Sequence, residues 1–211
     1  MTDTPTTTIV FLIFPGITQL DFTAPAQALS RMPGAVVAGA AAGLTPIPTD
    51  SGFSIVPTHD FATAPQADIL CIPGGHGVVD ALDDADTIDF IARQAANARW
   101  VTSVCTGAFL LGRAGLLSGK RATTHWAYTH LLPLVGAEPV KARIVEDGNV
   151  VTSGGVTSGL DFALTLIARL RGDAVAQAIQ LAIEYDPAPP FPGGHPDRAP
   201  KAITAGLKEH V

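Results

Sequence analysis

Residues 100–117 read WVTSVCTGAFLLGRAGLL, and their periodicity changes at the cysteine. Trp100–Val104 is a short β-rich run. From Thr106 to Leu117 the apolar residues recur at helical spacing, so Cys105 falls in the tight turn between a strand and a helix. Strands of this kind, apolar and interrupted only by Thr102 and Ser103, suit a parallel sheet covered on both faces.

The neighbouring segments repeat the pattern. Val10–Phe14 and Asp68–Ile72 are nearly continuous apolar runs, each followed by Pro-Gly. Helical periodicity predicts helices over Leu20–Met32 and Ala85–Asn97, with Gly119 as a helix-ending glycine after Leu117. The stretch ARIVEDGNVVTSG gives two β-rich arms around Asp147-Gly148, a strong hairpin signal. Two further helices are expected over Gly159–Leu170 and Asp173–Tyr185, with Asp173 as N-cap. Alternating strands and helices imply an α/β sandwich around a mostly parallel sheet. No internal repeat or domain linker interrupts it, so one domain over residues 1–211 is expected. The Pro-rich tail DPAPPFPGGHPDRAP (Asp186–Pro200) can be neither helix nor central strand. It is either a surface-wrapped end or an arm docked on a second subunit.

Composition narrows the function. The 211 residues are 47% hydrophobic and 15% charged, with a formal charge of -6. That fits a compact globular protein and disfavours nucleic acid as partner, which needs a clustered basic face. The N-terminus lacks the basic start and long apolar segment of a secretion signal, and Ile9–Phe14 is too short to cross a bilayer, so no membrane association is expected. Two cysteines, Cys71 and Cys105, make no disulfide framework and fit the cytoplasm. The six histidines are scattered, with none at zinc-site spacing.

Cys105 either packs or reacts. The strand-to-helix turn pushes its side chain out at the carboxyl end of the sheet, where open α/β folds bind ligands. The helix start is expected to favour the thiolate, lowering the thiol pKa from about 8.5 to about 6. SVCTG resembles a nucleophile elbow whose first glycine is replaced by Ser103. Cys71, inside the apolar run DILCIPGG, reads as core. The turn IPGGHG (Ile72–Gly77) ends a parallel strand and can bring backbone N–H groups close to a ligand. Asp21, among apolar neighbours in FPGITQLDFTAP, either caps a helix or is a poorly solvated acid beside the cysteine.

Together FPGITQLD, IPGGHG, SVCTGAFLL, RATTHW and SGGVTSGLDFAL resemble the DJ-1/PfpI superfamily, and Asp21 with Cys105-Thr106 and the tail resembles its isonitrile-hydrating branch. The resemblance spans about residues 9–200. It implies a flavodoxin-like (class I glutamine amidotransferase-like) sandwich, a homodimer, no cofactor or metal, and an isonitrile substrate. By matching motif positions, Cys105 resembles the nucleophile and Asp21 its acid/base partner. Thr106 resembles a hydrogen-bonding residue that also supplies a backbone amide, and Gly75 the other anion-stabilising amide. His125 is either a partner of the cysteine or structural. Gly155 and Val156, in GGVTSGLD, either line the pocket or serve helix entry. The alternatives are a redox sensor built on Cys105 and a ligand-sensing domain without hydratase activity, for which no helix-turn-helix follows the tail.

Overall fold

The computed structural model describes residues 5–208. Its central sheet has seven strands in the order β10-β11-β7-β6-β1-β2-β5. These are β1 (Thr7–Leu12), β2 (Ala35–Ala41), β5 (His59–Asp60), β6 (Ile69–Ile72), β7 (Trp100–Val104), β10 (Ile144–Asp147) and β11 (Val150–Ser153). All pairings are parallel except that of β10 with β11, which is the hairpin expected around Asp147-Gly148. Gly148 takes the positive φ of 63° that the turn requires. The mixed sheet, mostly parallel and flanked by helices, is the α/β architecture expected from sequence.

Successive residues of a strand face opposite ways, so each apolar strand feeds two cores. Val10, Leu12, Leu70, Ile72, Val101 and Val150 pack on one face. There they meet α2 (Val78–Ala81), α3 (Ala85–Ala95) and α4 (Gly107–Arg113). Ile9, Phe11, Ile69, Cys71, Val104 and Val151 pack on the other, under α1 (Gln19–Leu29), α5 (Ser158–Arg171) and α6 (Asp173–Ala182). Each fully buried Phe, Leu or Ile contributes roughly 1.5–3 kcal/mol, so the sheet's middle strands are the rigid base on which the turns above them are mounted.

Several boundaries differ from expectation. Helix α4 stops at Arg113, four residues early, because Gly115 takes φ +78° and turns the chain; Gly119 serves a later turn. Asp173 is the first residue of α6 and Gly172 its N-cap. A 3-10 helix covers Thr129–Val135. Short strands β3 (Ile47–Pro48), β4 (Ser54–Ile55), β8 (Arg121–Ala122) and β9 (Glu138–Pro139) form two small side sheets. Between Tyr185 and Pro200 there is neither helix nor strand, and most residues are exposed. The tail then ends in α7 (Lys201–Lys208), with Ile203 and Leu207 exposed. Among the described residues no helix is long and apolar enough to cross a membrane.

Candidate active site

Cys105 leaves β7 with φ +56°, one of two non-glycine residues in the left-handed region among the described residues. Holding an L-residue there costs on the order of 1 kcal/mol or more. Both of its backbone polar groups are tied down in return. Its N–H donates to the carbonyls of Ser153 (3.1 Å) and Gly154 (2.8 Å), and its carbonyl accepts from Thr124 Oγ1 (2.7 Å). The elbow is therefore fixed by β11 on one side and by residue 124 on the other. Next in sequence, Gly107 passes so close to the end of β6 that a Cβ there would sit 2.2 Å from the Ile72 carbonyl oxygen. Only glycine lets the helix start where it does.

Asp21 arrives from α1. It is fully buried, and its Oδ2 accepts the Gly74 N–H at 2.9 Å. It does not cap its own helix: the N-cap is Thr18, and the carboxyl reaches instead to a turn 53 residues away. Its Oδ1 has no hydrogen-bond partner among the described residues, and the carboxyl lies within hydrogen-bonding reach of the Cys105 thiol. Gly74 fits tightly between Asp21 and Thr106. A Cβ on it would stand 2.6 Å from the Thr106 amide nitrogen and 2.9 Å from Asp21 Oδ2.

The electrostatics correct the expectation of a lowered thiol pKa. Burial pushes the Cys105 thiol up to about 12, with the Asp21 charge raising it further. The Thr106 and Val156 amides and the Thr106 hydroxyl pull the other way without winning. Burial also lifts Asp21 from 3.8 to about 7, against the Gly74 and Cys105 hydrogen bonds. Two acids in one dry site lose protons in sequence. Asp21 therefore gives up its proton near neutrality, while the Cys105 thiol holds its own far above it.

The remaining predicted residues sort themselves around this pair. Thr106 acts through its amide and hydroxyl to lower the thiol pKa, and its hydroxyl donates to the Gly75 carbonyl at 3.3 Å. The Gly75 amide is taken by the Thr106 hydroxyl at 3.0 Å, so it steadies Thr106 while Gly74, missed in the sequence, holds Asp21. Val156 supplies its amide to the sulfur. Gly155 packs against His125, whose Cδ2 would be 2.6 Å from a Cβ at that glycine. The His125 ring is partly buried, and burial lowers its pKa, keeping it neutral. No hydrogen bond among the described residues joins it to Cys105. The sulfur's residue is 6% exposed, and no cluster of His, Cys, Asp or Glu that could hold a metal occurs among the described residues.

A cysteine on a left-handed turn at the sheet's carboxyl end, with a buried carboxyl nearby, marks the candidate site of this α/β fold. The DJ-1/PfpI family model matches residues 7–169, and the chain belongs to that family. It is 53% identical over 195 residues to an isonitrile hydratase of Pseudomonas putida, covering 92% of this chain and 86% of the relative. A ThiJ/PfpI family protein from Pseudomonas syringae superposes with a TM-score of 0.95 at 41% identity, over 98% of this chain and 86% of that one. A DJ-1 superfamily protein from Salmonella typhimurium gives 0.77 at 27% identity, covering 86% of this chain and all of that one.

Proposed function

We propose that the chain is an isonitrile hydratase, adding water to R–N≡C to give an N-substituted formamide. The observation that carries this is the Asp21–Cys105 pair: one mobile proton and one nucleophile facing the same small space. The similarity to the Pseudomonas putida hydratase over most of both chains supports it. The narrow access to Cys105 suits a linear group whose reactive carbon is terminal.

The reaction runs in two halves. An isonitrile carbon is both basic and, once protonated, electrophilic. The Asp21 carboxylate takes the Cys105 thiol proton and delivers it to that carbon as the sulfur bonds to it, giving a thioimidate, R–N=CH–S–Cys105. The Asp21 carboxylate then takes a proton from water as its oxygen adds to the same carbon, and passes that proton to the nitrogen. Collapse of R–NH–CH(OH)–S–Cys105 expels the thiolate and returns the hydroxyl proton to Asp21. The formamide leaves and the pair holds the charge and proton it began with. The Thr106 and Val156 amides steady the departing sulfur.

The whole chain acts as one DJ-1/PfpI-like domain with its Pro-rich tail, and as a homodimer in the cytoplasm. Two free, buried cysteines support a reducing location. The apolar groove lined by Leu20, Ala24, Leu160 and Ile183 supports a second copy as its occupant. Incubation with a simple alkyl isonitrile, followed by mass spectrometry, should reveal the matching formamide. Absence of product, together with peroxide-dependent oxidation of Cys105, would replace this reading with a redox sensor.

A further inference from the structure

The loop Gly154–Thr157 meets Cys105 directly, its Gly154 carbonyl accepting the Cys105 N–H at 2.8 Å, and its Val156 amide acts to lower the thiol pKa. The Ser158 hydroxyl also bonds that carbonyl, at 2.8 Å, and from the other side the loop is held by Arg143, at the start of the hairpin. Its carbonyl accepts the Gly154 N–H at 2.9 Å. Its guanidinium donates to Thr157 Oγ1 at 3.2 Å and pairs with Asp161, one turn into α5. A single residue thus grips both ends of the loop. Tyr185, where the tail leaves α6, donates its hydroxyl to the second oxygen of Asp161 at 3.1 Å.

We infer that Arg143, with Asp161 and Tyr185, is a positioning clamp that sets the distance between the Val156 amide and the Cys105 sulfur. The inference rests on Cys105 being the nucleophile. Arg143 is half exposed and Asp161 about a third, and an ion pair in that setting adds little to global stability. Its effect is local: the fork of the guanidinium binds two partners in fixed directions, which a lysine cannot do. Asp21 from α1 is the charged group facing the sulfur, Asp50 acts on Asp21, and neutral His125 backs Gly155. The clamp reaches the sulfur through the Val156 amide rather than by its own charge.

The test is full-length wild type, Arg143→Ala, Arg143→Lys, Asp161→Asn and Tyr185→Phe, assayed with an alkyl isonitrile and, separately, by iodoacetamide alkylation of Cys105 across pH. Arg143→Ala should lower kcat roughly ten-fold with KM nearly unchanged, since a displaced donor costs less than a deleted one. Its alkylation midpoint should move up by roughly half a pH unit as a donor to the anion weakens. Arg143→Lys should recover part of the loss, and Tyr185→Phe should show the smallest effect. Wild-type kcat and alkylation midpoint in Arg143→Ala would overturn the clamp. So would activity lost only in proportion to Tm across the series. If Arg143→Ala does not fold, Asp161→Asn breaks the same grip and gives the same two readouts. A wild type that alkylates but makes no formamide would fail the proposed reaction, while the alkylation series still decides the clamp.

Discussion

Cys71 and Cys105 sit in the same apolar layer and are almost equally hidden, at 2% and 6% exposure. Burial pushes both thiols to about 12. By that measure they are twins. Their surroundings differ. Cys71 lies inside β6, near the Thr102 hydroxyl, which also bonds the Leu70 carbonyl. Cys105 sits on a left-handed backbone turn with a buried acid, two amides and a hydroxyl converging on its sulfur. A high thiol pKa therefore does not separate a structural cysteine from a reactive one here. The difference is whether a buried acid that titrates near neutrality shares the site.

Replacing each sulfur in turn breaks the comparison most directly. Cys105→Ala should reduce formamide production by at least about 10⁴-fold, as removal of a nucleophile does in other enzymes. Cys71→Ala should keep full activity and lose about 1–2 kcal/mol of stability to the small cavity it opens. Equal activity losses would mean that Cys105 matters only as packing.

Asp21→Asn removes the feature that distinguishes the two sites. Turnover should fall about 10²–10⁴-fold, the usual range for a lost acid/base. Wild-type Cys105 should alkylate with a midpoint far above neutrality, because burial and the Asp21 charge hold its thiol up to about 12. Asn carries no charge, so the repulsion that raises the thiol pKa is gone and the variant's midpoint should fall. Stability should move the opposite way. The folded protein holds the Asp21 proton up to about 7, against 3.8 for an ordinary carboxyl. Ionising Asp21 therefore costs stability that grows as pH rises through this window and is absent below it. The variant should exceed wild type in thermal stability at pH 8 by an amount on the order of a few kcal/mol, and the gain should vanish near pH 4. A pH-independent difference would show that Asp21 is not buried as an acid.

The sequence made the elbow legible because a change of period is a local signal: β7 ends at Val104, and α4 begins at Gly107, with only Cys105 and Thr106 between. It made Asp21 only ambiguous. Capping and buried acid look alike in a string, and the deciding contact, the Gly74 amide, is 53 residues away. The same distance explains why Gly75 was favoured over Gly74. Both occupy one glycine turn, and only the fold shows which amide Thr106 has claimed. The thiol pKa was misjudged because helix ends and neighbouring residues can be read from order, whereas desolvation is a property of everything packed above the site. The strand β2 escaped notice because its run of Ala, Val and Gly carries a weak β signal, and its identity comes from pairing with β1.

The finest probe of the two cysteines is the hydroxyl beside each one. Thr106→Val keeps shape and removes a donor to the sulfur, and it strips the Gly75 amide of its acceptor at 3.0 Å. The Thr106 and Val156 amides remain, so the loss in kcat should be about ten-fold, less than for deleting a whole oxyanion donor. Thr102→Val makes the same chemical change next to Cys71, where the hydroxyl bonds the Leu70 carbonyl at 2.9 Å. It should cost about 1 kcal/mol of stability and leave kcat alone. If Thr102→Val slowed turnover as much as Thr106→Val, the hydroxyls would be acting through the packing of the sheet. An effect confined to Thr106 would place the working hydrogen bond at the sulfur of Cys105 itself.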